Sequence, residues 1–183
     1  MEHTYLCSWQ FFTDAHTGEI YSFIDKIDYF TGTGSVYPLS NDQIDQDGTL
    51  QSGWPMPYLQ LKDVNTGDIT STDGGGNYFS SGSNYVTFKG KYVMMSDNCG
   101  EAGMTVDGDF DWGGSTGTDC KTPGFGGKGN THSSRTGYYE LNKIMEIARS
   151  RLPSNEWLKL RLTANMNIGF DSNNEPVSCN AYW

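Results

Sequence analysis

Asn130-Thr131-His132-Ser133-Ser134-Arg135-Thr136-Gly137-Tyr138-Tyr139-Glu140-Leu141-Asn142-Lys143-Ile144-Met145-Glu146-Ile147-Ala148-Arg149-Ser150-Arg151-Leu152-Pro153 is the stretch that decides the fold. Polar residues with cap chemistry lead into Tyr138, Leu141, Met145, Ala148 and Leu152, spaced 3, 4, 3 and 4, the recurrence of one face of an α-helix. Ile144 and Ile147 are expected to widen that apolar face, and Pro153, which cannot continue a helix, ends it after about five turns. Downstream, Ser154 is placed to cap a short second helix through Trp157. Leu160, Leu162, Ala164, Met166 and Ile168 then alternate with Arg161, Thr163, Asn165 and Asn167, the period of a half-buried strand. After a turn at Asp171-Ser172-Asn173-Asn174-Glu175-Pro176 a last strand begins at Val177, and the chain ends inside it, which leads us to expect a portion of something larger.

Upstream of the helix the texture is β. Aromatic and polar residues alternate around Asp14-Ala15-His16-Thr17-Gly18-Glu19-Ile20, which predicts a hairpin carrying Trp9, Phe11 and Phe12 on one strand and Ile20, Tyr21 and Phe23 on the other. A second hairpin is predicted where Leu59 and Leu61 precede Asp63-Val64-Asn65-Thr66-Gly67-Asp68 and Ile69 follows it. Two more strand runs flank the lysine-glycine turn within Tyr85 to Met94. Residues 31–57 are broken by Thr-Gly-Thr-Gly, Ser-Asn-Asp and Gly-Trp-Pro-Met-Pro and read as an irregular surface excursion. Residues 96–130, rich in Gly, Asp, Ser and Thr, read as a long loop without strands. No internal repeat is expected. The fold class is α+β: a β-rich amino-terminal part with long loops, then one long helix packed on an antiparallel sheet.

Composition narrows the function. In 183 residues, 36% hydrophobic and 14% aromatic content with 23 glycines suits a single folded domain of short strands and many turns. A formal charge of −10 provides no basic stripe to replace counterions on a phosphate backbone, so nucleic acid is not an expected partner. No apolar run approaches the roughly 18 residues that a membrane-spanning helix requires, so no membrane partner is expected either. Met1-Glu2-His3-Thr4 lacks the basic start and apolar continuation of a signal peptide. Cys7, Cys99, Cys120 and Cys179 are spread out with no C-x-x-C pair, which disfavours a zinc ribbon and favours disulfides. Cys99 and Cys120 each end a polar turn and enclose a Gly- and Asp-rich loop that is costly to order, so a Cys99–Cys120 bridge and an oxidising, extracellular location are expected.

Candidate chemistry is sparse. The histidines His3, His16 and His132 are far apart and no H-E-x-x-H is present, so no catalytic metal centre is expected within these residues. His132 is expected to serve a structural hydrogen bond and His16 to face solvent. Asp107, Asp109 and Asp111 resemble the first three ligands of a calcium loop, but Trp112 and Thr118 stand where an EF-hand has its glycine and its glutamate. Calcium at these three aspartates is the one cofactor the residues themselves suggest. No G-x-S-x-G is present, and Gly74-Gly75-Gly76 lacks the lysine of a phosphate loop. Trp9, Trp54 and Trp112 admit a carbohydrate-binding reading, with core packing the commoner fate of such residues.

The run from Gly129-Asn130-Thr131-His132-Ser133-Ser134-Arg135-Thr136-Gly137 through Leu152-Pro153-Ser154-Asn155-Glu156-Trp157-Leu158, with Leu162-Thr163-Ala164-Asn165-Met166-Asn167-Ile168 and Cys179-Asn180-Ala181-Tyr182-Trp183, resembles secreted bacterial zinc metallopeptidases of the thermolysin and fungalysin type. In them it lies just before the H-E-x-x-H helix. The resemblance implies that residues 1–30 end a pro-region-like β segment and that 31–183 form the β-rich amino-terminal lobe of a catalytic domain truncated at its carboxyl end. It further implies that Asn180 and Ala181 hold an extended peptide or protein substrate by strand addition at a sheet edge. The zinc, its ligands and the glutamate base are implied for a full-length parent, whose remaining catalytic lobe would be a partner of this piece. Cys179 would have its partner downstream, leaving it here as a free thiol or captured by Cys7 or another molecule. A standalone extracellular binding or inhibitory module is the alternative.

Overall fold

The computed structural model describes residues 9–25, 27, 29–37, 50–113 and 125–169. In chain order the strands are β1 (Trp9–Thr13), β2 (Ile20–Asp25), β3 (Phe30–Val36), β4 (Gln51–Pro55), β5 (Leu59–Asp63), β6 (Ile69–Ser71), β7 (Asn77–Tyr78), β8 (Asn84–Gly90), β9 (Val93–Asp97), β10 (Met104–Val106) and β11 (Phe110–Asp111). Then come the helix α1 (His132–Arg151), a 3-10 turn (Glu156–Lys159) and β12 (Leu162–Met166). The protein is therefore mixed α+β, mostly strands, with one long helix packed on sheets.

The larger sheet runs β12-β9-β8-β5-β6, with β10 also on β8. It is not the antiparallel sheet expected: β12 lies parallel to β9, Leu162 beside Val93 through Met166 beside Asp97. The reason is the connection. A tight turn at Lys91 returns β9 antiparallel to β8, but the chain from β9 to β12 passes through α1, and such a crossover delivers a strand in the same direction. Two further expectations are corrected. Residues 31–57 contain β3 and β4, and β3 is the centre of a second sheet, flanked by β11, β4 and β7. Within 96–130, β10 and β11 are short strands. Runs of two or three residues are too brief to show a period, and the glycines of β3 are there because a neighbour needs the space. A Cβ on Gly32 would meet the Phe110 ring, and one on Gly34 would meet Met56.

The core lies between the sheets and α1. Val36, Met56, Leu59, Leu61, Val86, Val93 and Trp112 have no exposed surface. From the helix, Tyr138 and Met145 are buried and Leu141 packs against them, as the spacing predicts. The Tyr138 hydroxyl donates to the Pro57 carbonyl at 2.9 Å, and Gly90 leaves room for it. The apolar face is narrower than expected, since Ile144 and Ile147 are 60% and 57% exposed while polar Arg135 and Asn142 are fully buried. The 3-10 turn is capped by Asn155 rather than Ser154, its Oδ1 accepting from Trp157 N at 3.0 Å.

A short local repeat, not expected from the sequence, joins two hairpins. Asp14-Ala15-His16-Thr17-Gly18-Glu19-Ile20 and Asp63-Val64-Asn65-Thr66-Gly67-Asp68-Ile69 form the same turn. In each, the aspartate Oδ1 accepts two backbone N–H groups, from His16 and Thr17 at 2.7 and 2.8 Å and from Asn65 and Thr66 at 2.7 Å each. Gly18 and Gly67 sit at φ +73° and +77°, where only glycine is unstrained.

Candidate functional site

The densest polar cluster ties together the two ends of the α1 crossover. Asp97 closes β9, Thr131 caps α1, and Asn167 follows β12 in a left-handed conformation, φ +55°, which asparagine tolerates better than most residues. Asp97 Oδ2 accepts from Thr131 Oγ1 at 2.7 Å, Ser134 Oγ at 2.5 Å and Asn167 Nδ2 at 3.1 Å. Its Oδ1 accepts from Cys99 N at 2.8 Å and Asn167 Nδ2 at 3.0 Å. Thr131 Oγ1 in turn accepts from Ser134 N at 3.2 Å, and Ser133 Oγ donates to Asn167 Oδ1 at 3.0 Å. With its lone pairs so occupied and Ser134 fully buried, Asp97 is arranged to hold geometry. The corner it fixes is where the chain leaves β12.

Beside it lies Arg135, fully buried and contacting no carboxylate within the described residues. Its Nε donates to Ser35 O at 2.9 Å, and its Nη1 donates to both the carbonyl and Oδ1 of Asn130 at 2.9 and 2.8 Å. Its Nη2 meets His132 Nδ1 at 3.2 Å. Burial pulls the guanidinium below its ordinary value, opposed by Asp111 and Tyr37. The His132 ring also packs on Tyr37, centroids 4.9 Å apart. Arg135 thereby clamps α1 to β3. Nothing in the sequence marks it as buried, because its partners are backbone carbonyls and an asparagine that only the fold assembles.

The calcium candidates point to different neighbours. Asp109 Oδ1 accepts from Thr31 N and Oγ1 at 2.6 and 3.1 Å, and Asp111 Oδ1 from Gly113 N at 2.8 Å. Asp107 and Asp109 bear on Tyr78, whose hydroxyl is pushed up to about 12, chiefly by burial and then by these two charges. Among the described residues no three His, Cys, Asp or Glu side chains converge as a metal site. Cys99 is buried and is not a free thiol. Its expected partner Cys120 lies outside the described residues, as do Cys7, Cys179, Asn180 and Ala181. Trp112 is fully buried and Trp54 packs edge-on against Tyr139 at 4.9 Å, which leaves only Trp9 of the three broadly presented to a sugar. Among the described residues no helix is long and apolar enough to cross a membrane. Comparison with known family profiles, with curated proteins and with solved structures finds no match.

Proposed function

We propose that this chain is the amino-terminal portion of a secreted zinc-dependent endopeptidase, contributing a substrate-binding edge strand while the zinc site belongs to a longer parent. The observation that carries the reading is topological. Among the described residues β12 stands at the rim of the larger sheet, paired only with β9, and Asp97 holds Asn167 just after that strand ends. A strand added there would itself become the rim, with one row of backbone groups open to an extended peptide. Asn180 and Ala181 are assigned that role by the resemblance.

The test is to express the reading frame continued past Trp183 and assay it on a denatured protein substrate. A parent of this kind carries an H-E-x-x-H within about 40 residues and loses activity to a chelator. In it, Asn180→Ala is expected to raise KM more than it lowers kcat, because the asparagine holds substrate without touching the reacting atoms. An in-frame stop and a chain inert toward every peptide would favour the standalone module instead. The Cys99–Cys120 bridge belongs to the same proposal and is checked by mass spectrometry of unreduced peptides, where Cys99 found joined to Cys7 or Cys179 overturns it.

A further inference from the structure

We propose that the cleft at the carboxyl end of α1 binds a carboxylate carried on an apolar body, as at the C-terminus of a peptide ending in leucine or in a free apolar acylamino acid. This inference does not depend on the peptidase reading. The cleft, of about 380 Å³, is lined by Lys91, Tyr92, Arg149, Leu152, Leu158 and Lys159. In a chain with 22 acidic and 12 basic side chains, three cations from three separate elements meet here: the β8–β9 turn, the last turn of α1 and the 3-10 turn.

Basic residues in the last turn of a helix offset its macrodipole, and that accounts for Arg149 and Arg151. It does not account for Lys91 arriving from another element, nor for what the two unpaired cations do. The Arg149 guanidinium carbon lies over the Tyr92 ring, 3.5 Å from its centroid, and Lys91 Nζ is 5.2 Å from the same centroid. The two charges are thus no more than about 9 Å apart and repel. Among the described residues the ion pairs are Lys143–Glu146 and Lys159–Glu156, so neither Lys91 nor Arg149 has a carboxylate. The Tyr58 ring is also near the guanidinium, its centroid 5.6 Å away, so Arg149 is held between two rings. The opposing helix carbonyls are partly occupied, Ala148 O by Leu152 N at 2.8 Å and Leu152 O by Asn155 N at 3.1 Å. An anion between Lys91 and the solvent-facing part of the Arg149 guanidinium relieves the repulsion. Leu152, Leu158 and the Tyr92 ring offer the apolar wall that prefers a carboxylate with a side chain over a bare ion.

The experiment is an NMR titration of the whole chain with N-acetyl-leucine, with N-acetyl-leucinamide, with inorganic phosphate and with acetyl-Ala-Ala-Leu. N-acetyl-leucine is expected to shift the amides of Lys91, Tyr92, Leu158 and Lys159 saturably. Removing its charge as the amide, or one cation by Arg149→Met, should weaken binding about tenfold, the worth of one charge-assisted hydrogen bond. Lys91→Gln should weaken it by a smaller factor while leaving the remaining spectrum intact. Acetyl-Ala-Ala-Leu binding more tightly than N-acetyl-leucine assigns the site to peptide termini, and equal binding assigns it to small acids. Absence of saturable shifts, equal binding of the amide, phosphate binding as well as N-acetyl-leucine, or indifference to both substitutions overturns the proposal.

Discussion

The hairpins β1–β2 and β5–β6 are built on one turn and stand in opposite surroundings. Both close with an aspartate accepting two N–H groups and a glycine at positive φ, and in both the isoleucine after the turn is outward, 55% exposed at Ile20 and 60% at Ile69. They differ on the strand before the turn. Leu59 and Leu61 of β5 are fully buried because β5 is paired on its other side with β8, whereas in β1 Phe11 and Phe12 remain 56% and 47% exposed and, among the described residues, β1 pairs only with β2. A turn is thus encoded within seven residues, but its stability is borrowed from the sheet it enters, since a lone two-stranded hairpin is marginal in water.

The sharpest way to break the comparison is to delete matched side chains two residues before each aspartate. Leu61→Ala empties a closed core site and should lower unfolding free energy by about 3 kcal/mol, while Phe12→Ala should shift the global urea midpoint by an amount worth under about 0.5 kcal/mol. Equal losses would mean that β1–β2 is held by packing comparable to that of β5. Next comes the corner that holds the sheet around β9 and β12. Asp97→Ala leaves Thr131, Ser134, Asn167 and the Cys99 amide without their shared acceptor and should cost about 2–3 kcal/mol, against about 1 kcal/mol for the cap alone in Thr131→Ala. Neither should alter hydrogen exchange in residues 9–25, whose bonds do not involve that corner.

A third test uses the turn glycines. Gly67→Ala forces a Cβ into the left-handed region and should cost about 1 kcal/mol of global stability. Gly18→Ala imposes the same strain at φ +73° with open space around it, so its effect should stay local. It should appear as faster amide exchange in β1 and β2 with an unchanged thermal midpoint.

How far these contrasts could be read from sequence follows from what each depends on. The helix, its Tyr138 and Met145 face and the turn at His16-Thr17-Gly18 were legible because periodicity and turn chemistry are local. The parallel placement of β12 was not, since alternation reports which side chains share a face and is silent on the neighbouring strand. Arg135 reads as a surface cation until Ser35, a hundred residues earlier, supplies a carbonyl. Ile144 and Ile147 fit a helical apolar face by spacing and yet lie outward, because Arg135 and Asn142, with their own hydrogen bonds, take the inner positions. Of the candidate site, only its approach could be read: the cap at Thr131 and the strand it leads to, not the aspartate that joins them.

The smallest expected effect separates the two aspartates themselves. Both carboxyls are held below their ordinary value first by backbone N–H groups, Thr17 then His16 for Asp14 and Thr66 then Asn65 for Asp63. Asp14 has an additional donor: Tyr21 Oη reaches its Oδ2 at 2.9 Å, and the corresponding position after Ile69 is Thr70, which makes no such bond. Asp14 is accordingly lowered from 3.8 to about 2. A carboxyl depressed in the folded state contributes stability above its unfolded pKa and loses it as pH falls through the folded one, so the turn at Asp14 should weaken between pH 3.8 and about 2. Carboxyl-carbon NMR titration should show Asp14 with the lower midpoint of the pair, and Tyr21→Phe should raise it toward that of Asp63 without moving Asp63. Loss of the β1–β2 amide pattern should follow the Asp14 midpoint, while β5–β6, anchored by β8, should persist through that range. If Tyr21→Phe leaves Asp14 where it was, the backbone donors alone set its acidity, and the two turns are electrostatically as well as geometrically the same.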